Sequence, residues 1–259
     1  MAPEFRQVIL IMFSKTARSK KSSENANVPA HIGIIMDGNR RFAKKLMLEP
    51  WRGHEWGASK AEELLDWCCD LGVKNITLYS LSYENFKSRP KQELDVVLSL
   101  IEKEALRVAK LDKVHNKKVK FNVIGRPDML PESVQSALRK LVDATKDYNG
   151  FTVNLAIAYG GRQEILEAAK KVALEAKNGR LDAAKLDESS FRKFLYTNGT
   201  PDPDLIIRTG GEKRVSGFLL WQSAYSELFF SDKMWPDFGR DDLVGALDEF
   251  AARERRFGQ

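Results

Sequence analysis

Cysteine is almost missing from this chain: two residues in 259, Cys68 and Cys69, and they are adjacent. Neighbours on a helix point about 100° apart, so the pair suits neither a disulfide nor a chelating site. Both read as apolar fillers in a reducing, cytoplasmic protein. Histidine is scarce too, with only His31, His54 and His115. Together these shortages exclude a disulfide scaffold and a cysteine- or histidine-rich zinc centre. No apolar run approaches the roughly 20 residues that a membrane span needs. Residues 8–13 are apolar but short, and no small-residue cleavage signal comes after them. A Walker-type glycine–lysine loop is absent as well.

Charge is abundant but not one-sided. Lysine and arginine number 42 against 36 acids, for a net charge of +6. Such a balance favours anionic partners. Basic residues are interspersed with acids, and no nucleic-acid motif occurs, so phosphorylated small molecules are preferred over nucleic acid. Residues 1–27 form a basic and apolar leader with a polar linker. The leader reads as a floppy extension, as a helix capping the domain, or as a weak peripheral contact with the inner face of a membrane. The chain is 43% apolar, enough for one large core, and residues 28–259 read as the single domain that holds it.

From residue 31 on, strand and helix patterns alternate. Apolar runs at 31–36, 75–81, 119–124, 151–158 and 204–208 read as strands, with 218–220 and 228–230 as further short ones. Helices are expected at 38–47, 57–71, 91–110, 131–146, 162–176, 186–195 and 241–253. The glycine at 72 stops one helix, and Pro90 opens another. Alternation with apolar strands implies an α/β domain, a mostly parallel sheet covered by helices on both faces. Trp221 and Tyr225 read as core.

Four of the strands run into polar clusters. Asp37-Gly38-Asn39-Arg40-Arg41, Ser82-Tyr83-Glu84-Asn85-Phe86, Tyr159-Gly160-Gly161-Arg162 and Arg208 through Ser216 would all converge on one sheet edge. Glycines let backbone approach an anion, and the forks of Arg208 and Arg214 suit phosphate oxygens. Asp37 and Glu227 are acids beside apolar stretches and could hold Mg²⁺ next to phosphates. Other readings stay open. Asp37 could cap the next helix, Arg208 could pair with Glu212, Ser82 and Asn85 could be turn formers, and His54 could be a satisfied surface histidine. Stripes of Ala61, Leu64, Leu65 and Cys68, and of Leu94, Val97, Leu98 and Ile101, either pack on the sheet or leave a groove for a long apolar ligand.

Residues 31–41 with His54, the run 82–86, residues 154–162 and 208–227, the run Trp235-Pro236-Asp237-Phe238 and the tail 253–258 resemble the cis-prenyltransferase family, which includes undecaprenyl diphosphate synthase. That resemblance implies a homodimer with a hydrophobic tunnel between the sheet and two helices. It implies Mg²⁺-dependent condensation of isopentenyl diphosphate with an allylic prenyl diphosphate, giving cis double bonds. By motif position, Gly38, Asn39, Arg40 and Arg41 would cradle the allylic diphosphate near His54, with Asp37 the essential acid. Arg208, Arg214 and Ser216 would hold isopentenyl diphosphate, and Glu227 would join the metal site. Asn85 with Ser82 matches the position tied to proton removal. Phe42, Tyr83, Glu84, Phe86, Arg89 and Val215 belong to the same substrate-binding motifs. Arg52 would stand in for an arginine that Pro50 replaces. Val97, Leu100 and Ile101 resemble the tunnel wall. Arg256 and Gly258 resemble a tail that reaches the partner subunit. Arg40, in place of a bacterial glycine, marks the archaeal and eukaryotic variant, and Lys213 replaces a bacterial histidine. Transfer to a different acceptor, or a non-catalytic role in a heteromeric transferase, are the rival readings.

Overall fold

The computed structural model describes residues 28–253. The leader, Arg256 and Gly258 lie outside that range. Six strands form one sheet in the order β3-β4-β2-β1-β5-β6. They are β1 (His31–Ile35), β2 (Asn75–Ser82), β3 (Val119–Gly125), β4 (Phe151–Tyr159), β5 (Leu205–Arg208) and β6 (Glu227–Phe230). Every neighbouring pair is parallel. Strands buried on both faces need unbroken apolar runs. The central ones comply: all of β1 and all of β5 are buried.

Among the described residues nine α-helices flank the sheet: α1 (Asn39–Lys45), α2 (Gly53–Asp70), α3 (Tyr83–Ser88), α4 (Lys91–Val108), α5 (Asp112–Asn116), α6 (Glu132–Thr145), α7 (Gly161–Lys177), α8 (Glu188–Arg192) and α9 (Arg240–Ala252). Gly72, at φ 88°, ends α2 as expected, and Pro90 precedes α4. Among these residues no helix is long and apolar enough to cross a membrane.

Three expectations need correction. Residues 218–220 form turns, not a strand, because Gly217 and Leu219 take positive φ (79° and 47°) and cannot extend. Tyr225 is 73% exposed rather than core. Trp221 is half-buried and packs on Phe191, ring centroids 4.7 Å apart. Helix α2 also begins four residues early, since Gly53 and Gly57 are helical and only their lack of a side chain hid it. A Cβ on Gly53 would lie 1.9 Å from the Asn39 carbonyl oxygen, so the glycine lets α2 press against α1.

Sheet register is held by a buried polar ladder. Asn122 Nδ2 donates to Asn154 Oδ1 at 3.0 Å, and Asn154 Nδ2 donates to Thr77 Oγ1 at 3.1 Å. Thr77 Oγ1 lies 2.8 Å from His31 Nε2, and His31 Nδ1 lies 2.7 Å from the Pro201 carbonyl oxygen. That carbonyl can only accept, so His31 carries its proton on Nδ1 and accepts from Thr77 on Nε2. A one-residue slip of β1, β2, β3 or β4 would leave these groups buried and unpaired. Thr77→Val removes the middle rung while keeping the shape. It is expected to lower stability by about 1–3 kcal/mol, read as a lower urea midpoint at unchanged m-value.

Candidate active site

Register puts the strand ends on one edge. Ile35 pairs with Arg208, Arg208 with Phe230, and Ser82 with Tyr159. Asp37, just past β1, therefore meets Arg208 at the end of β5. Asp37 Oδ2 accepts from Arg208 Nη2 at 2.8 Å, and Oδ1 accepts from its neighbour Gly38 N–H at 2.6 Å. Arg41 Nη2 stands 3.4 Å from Oδ1. The Asp37 main chain is pinned too, its carbonyl accepting from Trp235 N–H at 2.9 Å and Thr209 Oγ1 at 2.7 Å. Helix α1 has no side-chain cap, so the capping reading of Asp37 falls.

Arg208 is 5% exposed. Its Nη1 donates to the Arg214 carbonyl at 2.6 Å and to Ser216 Oγ at 2.8 Å. Its Nε is buried without a partner among the described residues. Arg208 does not pair with Glu212, which instead accepts from Arg214 Nη1 at 2.5 Å. Ser216 sits at φ 48°, a left-handed position costly for a residue with a side chain. It is held there by Arg208 and by Tyr79, whose hydroxyl donates to the Ser216 carbonyl at 3.3 Å.

A second basic cluster lies across the cleft. Glu93, 4% exposed, gathers Arg89 Nε at 3.3 Å, Arg40 Nε at 3.6 Å and His54 Nε2 at 3.7 Å. Glu93 is the residue that sequence reading missed. The available signals were its place four residues after Arg89 and at the head of the Val97, Leu100 and Ile101 stripe. His54 is more than a surface histidine. Burial, then the Arg89 charge, pull its pKa down to about 4 against the opposing pull of Glu93. It is a neutral imidazole at physiological pH.

Between the clusters opens a cavity of about 1080 Å³. Its mouth is lined by Asp37, Gly38, Asn39, Arg40, Arg41, His54, Ser82, Glu84, Asn85, Arg89, Arg208, Arg214 and Ser216. Its depth is apolar, with Val97, Leu100 and Ile101 on α4, Ala58, Ala61 and Leu65 on α2, and Leu141 and Ile157 beyond. Of the two stripes, Ala61, Leu65, Val97 and Ile101 line the cavity, while Leu64, Cys68, Leu94 and Leu98 pack in or against the core, so packing and cavity share the two helices. Ser82 is a turn former as well: its Oγ accepts from Asn85 N–H at 3.0 Å and caps α3.

Other expected site residues stand back from the cavity. Phe42 packs on Trp56, Phe86 on the main core, and Val215 on the Ile206–Phe218 cluster. Tyr83 lies under Lys87 Nζ at 5.8 Å, and Arg52 is exposed at the end of a short turn. Glu227 is not brought to Asp37 within one chain. It opens β6 opposite Leu205, three residues and about 10 Å before the level of Arg208. Its carboxylate accepts from Arg253 at 2.5 Å. Proximity to apolar residues in sequence did not reveal which end of the strand it occupied. Among the described residues no group of three acids, histidines or cysteines could hold a metal by itself.

Buried His31 and half-buried His54 set a pH dependence. His31 is also lowered, chiefly by burial. Unfolded, each takes up a proton near pH 6.5; folded, neither does so until lower pH. The unfolded chain thus binds more protons below 6.5, and stability falls as pH drops from 6.5 toward about 4, the folded value for His54. Urea midpoints at pH 7.5 and 5 are expected to show this loss, and His54→Gln to reduce it. An equal loss in His54→Gln would refute the His54 share.

Comparison with known proteins places this geometry. A family model described as "Putative undecaprenyl diphosphate synthase" matches residues 35–258. A tritrans,polycis-undecaprenyl-diphosphate synthase (geranylgeranyl-diphosphate specific) of Methanopyrus kandleri is 52% identical over 236 residues, covering 91% of this chain and 87% of that one. Its namesake from Thermococcus kodakarensis is 44% identical, covering 91% and 89%. Among solved structures, lavandulyl diphosphate synthase from Lavandula x intermedia, in complex with dimethylallyl diphosphate, superposes with a TM-score of 0.85 at 38% identity, covering 90% and 99%. A probable undecaprenyl diphosphate synthase from Campylobacter jejuni gives 0.74 at 31%, covering 90% and 100%. With its sheet edge, paired basic clusters and apolar cavity, the chain belongs to the undecaprenyl diphosphate synthase family of cis-prenyltransferases.

Proposed function

We propose that this chain elongates an allylic prenyl diphosphate by condensing it with isopentenyl diphosphate, giving a cis-polyprenyl diphosphate that serves as a carrier-lipid precursor. The observation that carries the reading is one cavity with two cationic poles at its mouth and an apolar depth. Arg208, Arg214 and Ser216 make the pole for isopentenyl diphosphate. The unpartnered Arg208 Nε is a buried donor that an anion would satisfy. Gly38, Asn39, Arg40 and Arg41, with the Glu93-held His54 and Arg89, make the pole for the allylic diphosphate.

Mg²⁺ fits this site as a shared ion. A lone half-exposed carboxylate, Asp37, is what Mg²⁺ uses when phosphate oxygens supply the remaining ligands. When bound there it would offset the charge that develops on the departing diphosphate. The allylic C1–O bond breaks, a C1–C4 bond to isopentenyl forms, and a proton leaves C2. The arginines stabilise the same departing charge, and the apolar walls keep water from the electron-poor carbon. Asn85 carries an amide, which orients and cannot keep a proton. Neutral His54 can donate one hydrogen bond without adding charge.

Residues 28–259 act as one catalytic domain, and the leader as an adjunct. A homodimer in the cytoplasm, touching the inner membrane face as an apolar product leaves, fits the family resemblance. Edge strand β6, with Leu228 38% exposed and Tyr225 beside it, offers a surface for a second copy. The rival reading, prenyl transfer to another acceptor or in a branched geometry, has a lavandulyl diphosphate synthase among the structural neighbours. Depth of cavity favours elongation.

Purified enzyme with Mg²⁺, labelled isopentenyl diphosphate and a panel of allylic diphosphates tests the choice. Products several five-carbon units longer than the primer are expected; turnover of primer without chain growth refutes elongation. Asp37→Ala is expected to lower kcat by roughly 10²–10³-fold with the fold intact. Removing divalent metal with chelator should abolish turnover, and Mg²⁺ should restore it.

A further inference from the structure

The sheet loses its regular register at one place, between β2 and β4. Tyr79 pairs with Ala156 and Leu81 with Ile157, which skips Ser80; Ser82 then pairs with Tyr159, which skips Ala158, a residue at φ 45°. In a regular strand residues three apart point to opposite faces. Here Leu78 and Leu81 both pack in the main core, while Tyr79 joins the other cluster with Tyr159 and Phe218. Irregularities of this kind gather beside active sites, where they re-aim a side chain.

Tyr79 lines the cavity and reaches the loop that carries Ser216. Its ring stacks on Phe218, centroids 4.7 Å apart, and meets Tyr159 edge-on at 5.9 Å. Its hydroxyl donates to the Ser216 carbonyl at 3.3 Å and to the Tyr159 carbonyl at 3.2 Å, one proton shared between two acceptors. Burial pushes the phenol above its usual pKa, so it stays a donor at any working pH. Tyr159 is itself anchored. Its hydroxyl donates to Glu164 at 2.5 Å, and Glu164 also accepts from Tyr196 N–H at 2.9 Å and Gln222 Nε2 at 3.0 Å. One side of Tyr79 is thus fixed in the core, and the other holds the loop.

That loop needs holding. Ser216 (φ 48°), Gly217 (79°) and Leu219 (47°) all lie in the left-handed region, and two of them carry side chains. Arg208 ties it at the Arg214 carbonyl and at Ser216 Oγ, and Gly161 N–H donates to the Gly217 carbonyl at 2.8 Å. The Arg208 ties are the ones an anion competes for. A diphosphate that takes up the guanidinium and the Ser216 hydroxyl loosens their grip on each other. The Tyr79 and Gly161 bonds end on carbonyl oxygens, which an anion does not attract, so they persist when the site is filled. Of these two, only the Tyr79 bond comes from a side chain.

We propose that Tyr79 is a positioning residue for isopentenyl diphosphate: its hydroxyl holds the Ser216 backbone, so that Arg208 and Ser216 can turn to the diphosphate without the loop relaxing. The proposal rests on the elongating function argued above. It concerns one of the two poles, because Arg40, His54, Arg89 and Glu93 come from other segments.

The test is steady-state kinetics of the full chain with Mg²⁺, varying isopentenyl diphosphate at saturating allylic diphosphate, and then the reverse. Tyr79→Phe removes the hydroxyl and keeps the ring. It is expected to raise KM for isopentenyl diphosphate roughly 3–10-fold, the loss of about one hydrogen bond. KM for the allylic diphosphate and kcat should stay within about twofold. Tyr79→Leu removes the stack on Phe218 as well, and is expected to raise the same KM further. Thr77→Val, which removes a hydrogen bond from the same strand away from the loop, should lower stability and leave both KM values alone. An unchanged KM for isopentenyl diphosphate in folded Tyr79→Phe overturns the positioning role and leaves the function standing. An equal rise in both KM values, or a fall in kcat alone, does the same. A wild-type chain that adds no isopentenyl unit overturns the function and this role with it.

Discussion

A guanidinium sunk into the edge of a protein has to be met by an anion, and here that requirement organises the site. Arg208 is almost fully buried at the end of β5, and Asp37 at the end of β1 faces it at 2.8 Å. Burying either charge alone would cost several kcal/mol. The pair can form only if β1 and β5 are parallel neighbours in the observed register. The same guanidinium holds the loop at 214–216 through one carbonyl and one hydroxyl, fixing Ser216 in its left-handed conformation. Fold and chemistry thus share one contact. In the function proposed above, the essential acid is positioned by the arginine that would meet the substrate, and the one unpartnered donor of that arginine faces no protein group among the described residues.

Glu93 plays the corresponding part at the other pole. It draws Arg40, Arg89 and His54 together from three segments distant in sequence. Because one carboxylate offsets two guanidinium charges, the cluster keeps a net positive character, and the histidine stays neutral beside it. A diphosphate bound there, as proposed above, would meet cations already oriented, with little reorganisation on binding. Beside the poles the small residues Ala58 and Ala61 line the cavity and leave it room.

Much of this was legible in the chain. All six strands and most helices come from apolar runs and from glycine and proline at the expected stops. The clusters after β1, β2, β4 and β5 were readable because parallel strands place their ends on one edge. Two short helices, α3 and α5, are too brief for periodicity to register. Residues 218–220 looked like a strand because apolar content, not backbone conformation, is what a sequence displays. Glu93 drew no reading until the tertiary structure brought it against Arg40, His54 and Arg89. Within one chain, strand direction sets Glu227 at the start of β6 and Asp37 past the end of β1, a placement that sequence alone does not display.

By itself, then, the sequence determined the alternation of elements, the burial of the sheet and the stock of residues able to bind two diphosphates, since these depend on local pattern and composition. Tertiary structure decided which of those residues meet. Arg208 took Asp37 rather than Glu212, Ser82 became a cap, Arg52 stayed in solvent, and Glu62 found Arg107 across two helices. The physical reason is that charge pairing and cavity shape depend on distances between segments far apart in the chain, and strand order and helix packing set those distances.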